Sequence, residues 1–223
     1  MLVSHQHKFI FVKTRKTAGS SVQASLERHM GPNDIVTLMG SSFIPGYKPR
    51  RYKWLLDRVP GEAKTRIEHA AAIDLKVWLE EKWPSIWSDY LTFTIERNPW
   101  DKMVSEYWWR KSWPPNKVGE FDDWLIKRSV VIGHSTDMYT DNDGKLMVDQ
   151  VIQWKTLQFS YDLLCKDLGL PSNVLPRIKA KPRTKDEEKR HYSLYYTDET
   201  RDFVATRFGS LIDMWGYEFE DKR

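Results

Sequence analysis

The sequence predicts an α/β fold in which a mainly parallel central sheet is flanked by helices. Residues 9–12 and 90–95 are short apolar runs typical of buried strands, and a helical pattern follows each after a short turn. A third candidate strand, 148–154, is followed by a helical pattern at 158–168. Strands that alternate with helices indicate a parallel sheet. The 223 residues are enough for one well-packed core, so we expect a single domain over 1–223.

The first strand leads into a basic, small-residue turn, K-T-R-K-T-A-G-S-S at 13–21, and then into a helical pattern through residue 29. N–H groups at a helix start, with about half a positive charge from the helix dipole, form an anion site. Ala18 and Gly19 keep the loop thin enough for a phosphate to approach. Four side chains can add donors: Lys16, Thr17, Ser20 and Ser21.

The loop is P-loop-like without being a Walker A loop. That motif places a lysine directly after its second glycine, whereas here Lys16 precedes the only glycine, Gly19. From this stretch alone, a basic turn without a ligand is an equally good interpretation.

The second strand is followed by E-R-N-P-W-D and a helix through about residue 110. Asn98 suits the N-cap, Pro99 the first helical position, and Asp101 the acid of a capping box. Arg97 lies at the carboxyl tip of the strand, where ligands bind in open α/β sheets. A separate helix is predicted before this strand, at 69–82.

The remaining segments are less regular. Residues 31–66 and 112–145 are rich in loop signals, with one short helix at 121–127. The last helix starts near Thr197 and has an apolar stripe. The stripe consists of Val204, Phe208, Leu211 and Trp215.

Composition limits the class of protein. The net charge of +4 and the pI near 9.0 favour an anionic ligand or partner. Cys165 is the only cysteine, so no intramolecular disulfide can form and no oxidising compartment is required. The N-terminal residues lack the apolar region of a signal peptide, and no apolar run is long enough to cross a membrane. We therefore expect a soluble, cytoplasmic protein with no membrane partner.

Three segments, in order, resemble the carbohydrate-type sulfotransferases that use 3′-phosphoadenosine-5′-phosphosulfate (PAPS), and their short bacterial and viral relatives. The first is the K-T-A-G-S-S loop. The second runs from H-A-A-A at 69–72 to R-N-P-W-D-K-M-V-S-E-Y at 97–107, and is similar to the family's 3′-phosphate motif. The third runs from Y-T-D-E-T at 196–200 to G-Y-E-F at 216–219, and is similar to the family's last helix and end.

The resemblance implies the transfer of a sulfuryl group from PAPS to an acceptor hydroxyl by in-line displacement, with no metal required. Lys16 would meet the bridging oxygen, and His69 would act as the base, with Glu68 and Glu96 in reserve. Arg97, Ser105 and Arg183 would bind the 3′-phosphate. The implied donor-binding residues of the loop are Arg15, Lys16, Thr17, Ala18, Gly19, Ser20 and Ser21.

The acceptor is expected to be a carbohydrate or a small molecule, with a peptide also open. Five departures from the family pattern concern the acceptor site and the supporting shell, and they leave the implied donor site intact. They are Arg15 in place of proline, Glu96 in place of an apolar residue, and Gln153, Lys155 and Leu211.

The basic segment 177–190 is predicted to be a mobile lid over the nucleotide, since its seven cations repel one another. A solvated linker is the alternative. Two other functions remain open: a P-loop nucleotide kinase or hydrolase, which would need a G-K-[ST] loop, and a nucleic-acid-binding module, which would leave the R-N-P-W-D block unexplained. We expect no nucleic-acid partner.

Overall fold

A computed structural model describes residues 1–37, 69–112, 118–128, 133–178 and 190–223. The chain divides into two compact units, each built from two separate stretches of sequence. Unit 1 comprises the described residues of Met1–Glu96 and Ser135–Lys179, and unit 2 those of Arg97–His134 and Ala180–Arg223.

Unit 1 contains a five-stranded mixed sheet of order β3-β1-β2-β4-β5. The strands are β1 Leu2–Ser4, β2 Phe9–Phe11, β3 Ile35–Val36, β4 Leu91–Glu96 and β5 Gln150–Gln153. β2, β4 and β5 pair in parallel, with Phe11 opposite Phe93 and Ile95 opposite Ile152. The three predicted strands and their parallel arrangement are therefore confirmed.

The sequence did not predict β1 and β3, which extend the sheet beyond β2 through antiparallel pairing. They are only three and two residues long, too short to show a hydrophobic period. Asp34 fixes the turn after β1: its carboxylate accepts the Ser4 hydroxyl at 2.8 Å and the His5 N–H at 2.7 Å. These are contacts between residues distant in sequence, and no local pattern indicates them.

The described residues of unit 1 form four α-helices: α1 Gly19–Leu26, α2 Ala72–Glu80, α3 Ile86–Asp89 and, after β5, α6 Leu157–Asp167. All three residues of β2 are buried, as expected for a strand in a sheet covered on both faces. In the core, the stacked rings of Phe11 and Phe93 have centroids 4.9 Å apart. Cys165 is buried in the same core, as predicted.

Unit 2 is helical in its described residues. Its helices are α4 Pro99–Lys111, α5 Phe121–Arg128, α7 Asp198–Arg207 and α8 Gly209–Trp215. The helix after β5 in unit 1, Leu157–Asp167, is α6 in this numbering. Their core is strongly aromatic, with Trp100, Tyr107 and Phe121 among its members. The prediction of a single last helix is wrong, because the chain leaves helical geometry at Phe208 and forms two helices, α7 and α8. The Phe208 ring is nevertheless buried in the core.

Among the described residues, no helix is both long and apolar enough to cross a membrane.

Candidate functional site

The basic loop 13–21 lies at the carboxyl ends of β2 and β4. The Val12 N–H donates to the Phe93 carbonyl at 2.9 Å, and the Thr94 hydroxyl donates back to the Val12 carbonyl at 2.7 Å. The Thr14 hydroxyl extends this attachment by donating to the Ile95 carbonyl. The start of the loop is therefore fixed to the end of the neighbouring strand.

Two residues of the loop have left-handed backbone conformations without being glycine. Lys16 has φ 62° and Ala18 has φ 64°. Such conformations are costly for residues with a Cβ, and they persist only where the surrounding structure holds them. A run of residues that includes left-handed ones turns successive N–H groups towards one point, which is the geometry of an anion-binding nest.

The start of α1 leaves backbone donors available. The Ala18 carbonyl accepts the N–H groups of Ser21 at 2.9 Å and Val22 at 3.3 Å. The N–H groups of Gly19 and Ser20 have no acceptor within the described part of the chain. First-turn donors of this kind are satisfied by ligands or water.

The loop's hydroxyl groups do not all face outward. Thr17 is fully buried, and its hydroxyl bonds to that of Thr14 at 2.9 Å. Ser21 is buried, and its hydroxyl accepts the Ile178 N–H at 3.4 Å. Arg15 is exposed, whereas Lys16 and Ser20 are partly buried. Of the predicted loop donors, Thr17 and Ser21 thus have internal partners that the sequence did not indicate.

Lys13 is buried beneath the loop, with 2% of its surface exposed. Its Nζ donates to Oε1 of Gln23 at 2.9 Å, and Nε2 of Gln23 donates to the Thr37 carbonyl at 2.7 Å. Gly19 leaves the space that the lysine fills, because a Cβ on Gly19 would lie 2.9 Å from Cγ of Lys13. The glycine is therefore required by the close approach of Lys13.

His69 lies just before α2 rather than inside it. Its Nδ1 is 2.7 Å from the Lys13 carbonyl. A carbonyl can only accept a hydrogen bond, so Nδ1 carries the proton and Nε2 of the neutral ring is left as the proton acceptor. The pKa of His69 is lowered to about 3, chiefly by burial and next by the positive charge of Lys13.

Glu96, at the end of β4, is fully buried. Its Oε2 accepts hydrogen bonds from the Ser135 hydroxyl at 2.6 Å and the Tyr139 hydroxyl at 2.9 Å. The carboxylate therefore holds the segment around Ser135 and Tyr139 against the strand tip. This explains the acidic residue that replaces an apolar one before Arg97.

In unit 2, the predicted phosphate-binding residues lie at and after the start of α4. Nε and Nη2 of Arg97 form a two-point ion pair with Asp101, at 2.7 and 2.8 Å. Asp101 is therefore not the capping-box acid that the sequence suggested. The cap is provided by Asn98, whose Oδ1 accepts the Trp100 N–H at 3.0 Å. Ser105 follows Asp101 by four residues, on the same helix face.

The start of α4 is also fixed to the last residues of the chain. Nδ2 of Asn98 donates to the Glu218 carbonyl at 2.9 Å. The Tyr196 hydroxyl donates to the Trp100 carbonyl at 2.8 Å, and the Phe219 ring packs edge-on against Trp100 with centroids 5.6 Å apart. The G-Y-E-F end thus supports the turn that follows Arg97.

The structure brings together the loop and His69 in unit 1, through Lys13. In unit 2, Arg97 precedes α4 and pairs with Asp101, and Ser105 lies on α4. Arg183 and Glu68 lie outside the described residues, as do residues 179–189 of the predicted lid. Sequence reasoning missed the roles of Lys13, Gln23 and Asp101. The available signal for Lys13 was a lysine directly after a buried strand, six residues before a glycine.

No family model matches the chain. The fold is of the sulfotransferase-like α/β class: it is similar to the crystal structure of a sulfotransferase from Alicyclobacillus acidocaldarius, with a TM-score of 0.50 and 16% identity, over 95% of this chain and 96% of that one. In sequence, 95 residues (42% of this chain) are 30% identical to an uncharacterized protein from Archaeoglobus fulgidus, covering 79% of it. The chain therefore belongs to the same family as that archaeal protein.

Proposed function

We propose that this protein is a sulfotransferase that moves a sulfuryl group from PAPS to an acceptor hydroxyl. The observation that carries the proposal is the loop 13–21: a strained, basic turn at the carboxyl ends of parallel strands, with N–H groups of Gly19 and Ser20 available at a helix start. This is the donor set that a phosphosulfate requires. The fold of the bacterial sulfotransferase supports the same proposal.

The loop would bind the 5′-phosphosulfate through its backbone N–H groups and through the side chains of Arg15, Lys16 and Ser20. In the reaction, a bond forms between the acceptor oxygen and sulfur while the bond from sulfur to the bridging oxygen breaks. Lys16 would stabilise the negative charge that develops on that oxygen. Thr17 and Ser21 would act indirectly, by holding the loop in shape through their internal hydrogen bonds.

His69 would accept the proton of the acceptor hydroxyl at Nε2. Its tautomer suits this role, since Nδ1 is committed to the Lys13 carbonyl. A pKa of about 3 makes the ring a weak base in the ligand-free protein, but a bound dianion nearby favours the protonated ring and raises that value. Glu96 is the poorer candidate, because it is fully buried and already accepts two hydrogen bonds.

Arg97 and Ser105 would bind the 3′-phosphate, with Arg183 as a further ligand. Asp101 holds Nε and Nη2 of Arg97, which fixes the plane of the guanidinium and keeps the positive charge beside the start of α4. The Ser105 hydroxyl lies one helical turn further on. The acceptor would be a carbohydrate or small molecule with a free hydroxyl group.

Nucleotide binding tests the proposal. The affinities of 3′,5′-bisphosphoadenosine (PAP) and adenosine 5′-phosphosulfate, which has no 3′-phosphate, are measured for the wild type, Arg97→Ala and Ser105→Ala by titration calorimetry. Both substitutions should weaken the binding of PAP by about tenfold or more and leave the affinity for adenosine 5′-phosphosulfate nearly unchanged. Transfer of label from PAPS to a panel of sugars and phenols is then measured.

Equal weakening of both nucleotides would show that Arg97 and Ser105 support the fold or bind another part of the ligand. Binding of ATP with Mg²⁺ in preference to PAP would favour the kinase alternative over sulfuryl transfer.

A further inference from the structure

The residues after α8 pack against unit 2 without forming a helix or a strand. α8 ends at Gly216, whose left-handed backbone (φ 61°) stops the helix. In the stretch that follows, partly buried residues alternate with exposed ones, and the partly buried ones are Tyr217 and Phe219. We call residues 216–223 the strap.

The strap is attached by side chains rather than by strand pairing. The Glu220 N–H donates to the Tyr192 hydroxyl at 2.7 Å, and the Lys222 N–H donates to the Ser193 hydroxyl at 3.0 Å. Both acceptors belong to the short 3₁₀ helix Tyr192–Tyr195. Alternate N–H groups of the strap thus bond to neighbouring residues of one turn.

Phe219 is the centre of the strap's packing. Its ring packs edge-on against three aromatic rings, each with a centroid 5.6 Å away: Trp100, Tyr192 and Tyr196. The guanidinium of Arg223 lies 5.4 Å from the Phe219 ring centroid and pairs with Asp198 at 2.8 Å. Edge-on aromatic pairs add to the energy of burial, so this one ring supplies much of the attachment.

The contacts of the strap converge on the start of α4. The Glu218 carbonyl accepts Nδ2 of Asn98 at 2.9 Å, and the strap packs edge-on against the Trp100 ring. Arg97 directly precedes Asn98, and its ion-pair partner Asp101 directly follows Trp100. The two residues that the strap contacts therefore lie between the two members of the ion pair.

We propose that the strap positions the start of α4, and with it the Arg97–Asp101 pair, for the 3′-phosphate, so that docking of the strap and binding of the nucleotide are coupled. This proposal rests on the proposed function, which assigns the 3′-phosphate to Arg97. The strap residues are positioning residues, because they act through α4 and not on the sulfuryl group. By linkage, a nucleotide that binds better when the strap is docked must in turn favour docking.

The way in which the strap is attached suits such coupling. Local opening costs least where few apolar groups are buried and the backbone hydrogen bonds are near solvent. Glu218, Glu220 and Lys222 are exposed, and Phe219 is only partly buried. The strap can therefore open without unfolding unit 2, and a ligand that prefers the docked form shifts this equilibrium.

Amide hydrogen exchange of the intact chain, followed by NMR, tests the coupling. Saturating PAP should slow exchange at the Glu220 and Lys222 amides by about tenfold, within the usual range of coupling between sites. Adenosine 5′-phosphosulfate, which has no 3′-phosphate, should slow it little. The Lys145 amide is the control, because it also donates to a side chain, Oδ1 of Asp141 at 2.8 Å, but lies in unit 1. Equal slowing at Lys145 would show a general effect and overturn the coupling.

Tyr192→Phe tests whether the strap docks as one unit, because it retains the ring and removes the acceptor of the Glu220 N–H. Lys222 keeps its own acceptor, yet its amide should exchange about fivefold faster, as the loss of one hydrogen bond predicts. Tyr195→Phe is the matched control, because the Tyr195 hydroxyl accepts Nε1 of Trp108 at 3.1 Å and no N–H group of the strap. An unchanged Lys222 amide in Tyr192→Phe would overturn the cooperative strap.

Phe219→Ala measures the consequence for the ligand. Loss of the ring should weaken the binding of PAP by about tenfold and leave the affinity for adenosine 5′-phosphosulfate nearly unchanged. Phe219→Leu retains an apolar side chain and should recover most of the affinity. Equal weakening of both nucleotides would show a purely structural role and overturn the proposal. If Phe219→Ala does not fold, the exchange experiment on the wild type is decisive.

The coupling and the proposed function fail in distinguishable ways. Binding of PAP that depends on its 3′-phosphate, with unchanged exchange at Glu220 and Lys222, would overturn the coupling alone. Failure of PAP to bind would overturn the proposed function, and the coupling with it.

Discussion

Lys16 combines a positive charge with a left-handed backbone, and a second lysine offers a comparison. Lys8, in the exposed turn between β1 and β2, has φ 51° against 62° for Lys16. Lys16→Ala should lower the rate of sulfuryl transfer by about 10²–10³, the usual cost of losing one donor to a developing charge. Lys8→Ala makes the same chemical change at a similar backbone conformation and should leave turnover unchanged.

Single-turnover assays with labelled PAPS measure the rate of sulfuryl transfer in Lys16→Ala and Lys8→Ala, and differential scanning calorimetry checks that both variants are folded. The melting temperature of Lys16→Ala should stay near that of the wild type, because the side chain is partly exposed at a loop. Near-normal transfer by Lys16→Ala would remove this lysine from the mechanism.

At the scale of elements, Asn98 makes two separable contributions at the start of α4. Its Oδ1 caps the helix, and its Nδ2 holds the Glu218 carbonyl. Asn98→Ala should lower the free energy of unfolding by about 1 kcal/mol, the usual value of an N-cap. Asn98→Ser retains a capping oxygen and should recover most of this loss, although the bond to Glu218 is gone.

Urea denaturation of the two variants measures the difference. An equal decrease in the free energy of unfolding in Asn98→Ser and Asn98→Ala would show that the contact with the Glu218 carbonyl, rather than the cap, provides the stability at this position.

For the whole molecule, the basic composition alone does not distinguish a nucleotide ligand from a polynucleotide. PAP at 100 times its dissociation constant should stabilise the fold by about 2.7 kcal/mol, because only the folded state binds it. A random single-stranded oligonucleotide at physiological salt should give no stabilisation. Thermal melts with each ligand measure the two stabilisations. Stabilisation by the oligonucleotide and not by PAP would favour the nucleic-acid-binding alternative.

Local patterns were sufficient where an element is long or carries its own start signal. The run at 90–95 and the Asn-Pro pair at 98–99 predicted β4 and the start of α4 to within a residue. They were insufficient for Asp101, whose spacing fits a capping box as well as an ion pair. The outcome depended on the position of the Arg97 guanidinium, which is not a property of the helix sequence.

The sequence by itself determined the α/β class, the three parallel strands, and the basic loop between β2 and α1, because each is encoded in a contiguous run of residues. The tertiary structure decided what surrounds the loop. Lys13 meets His69 across 56 positions of sequence, and Glu96 meets Tyr139 across 43. Such contacts arise only when distant segments pack together, since burial makes each polar group find a partner wherever the fold supplies one.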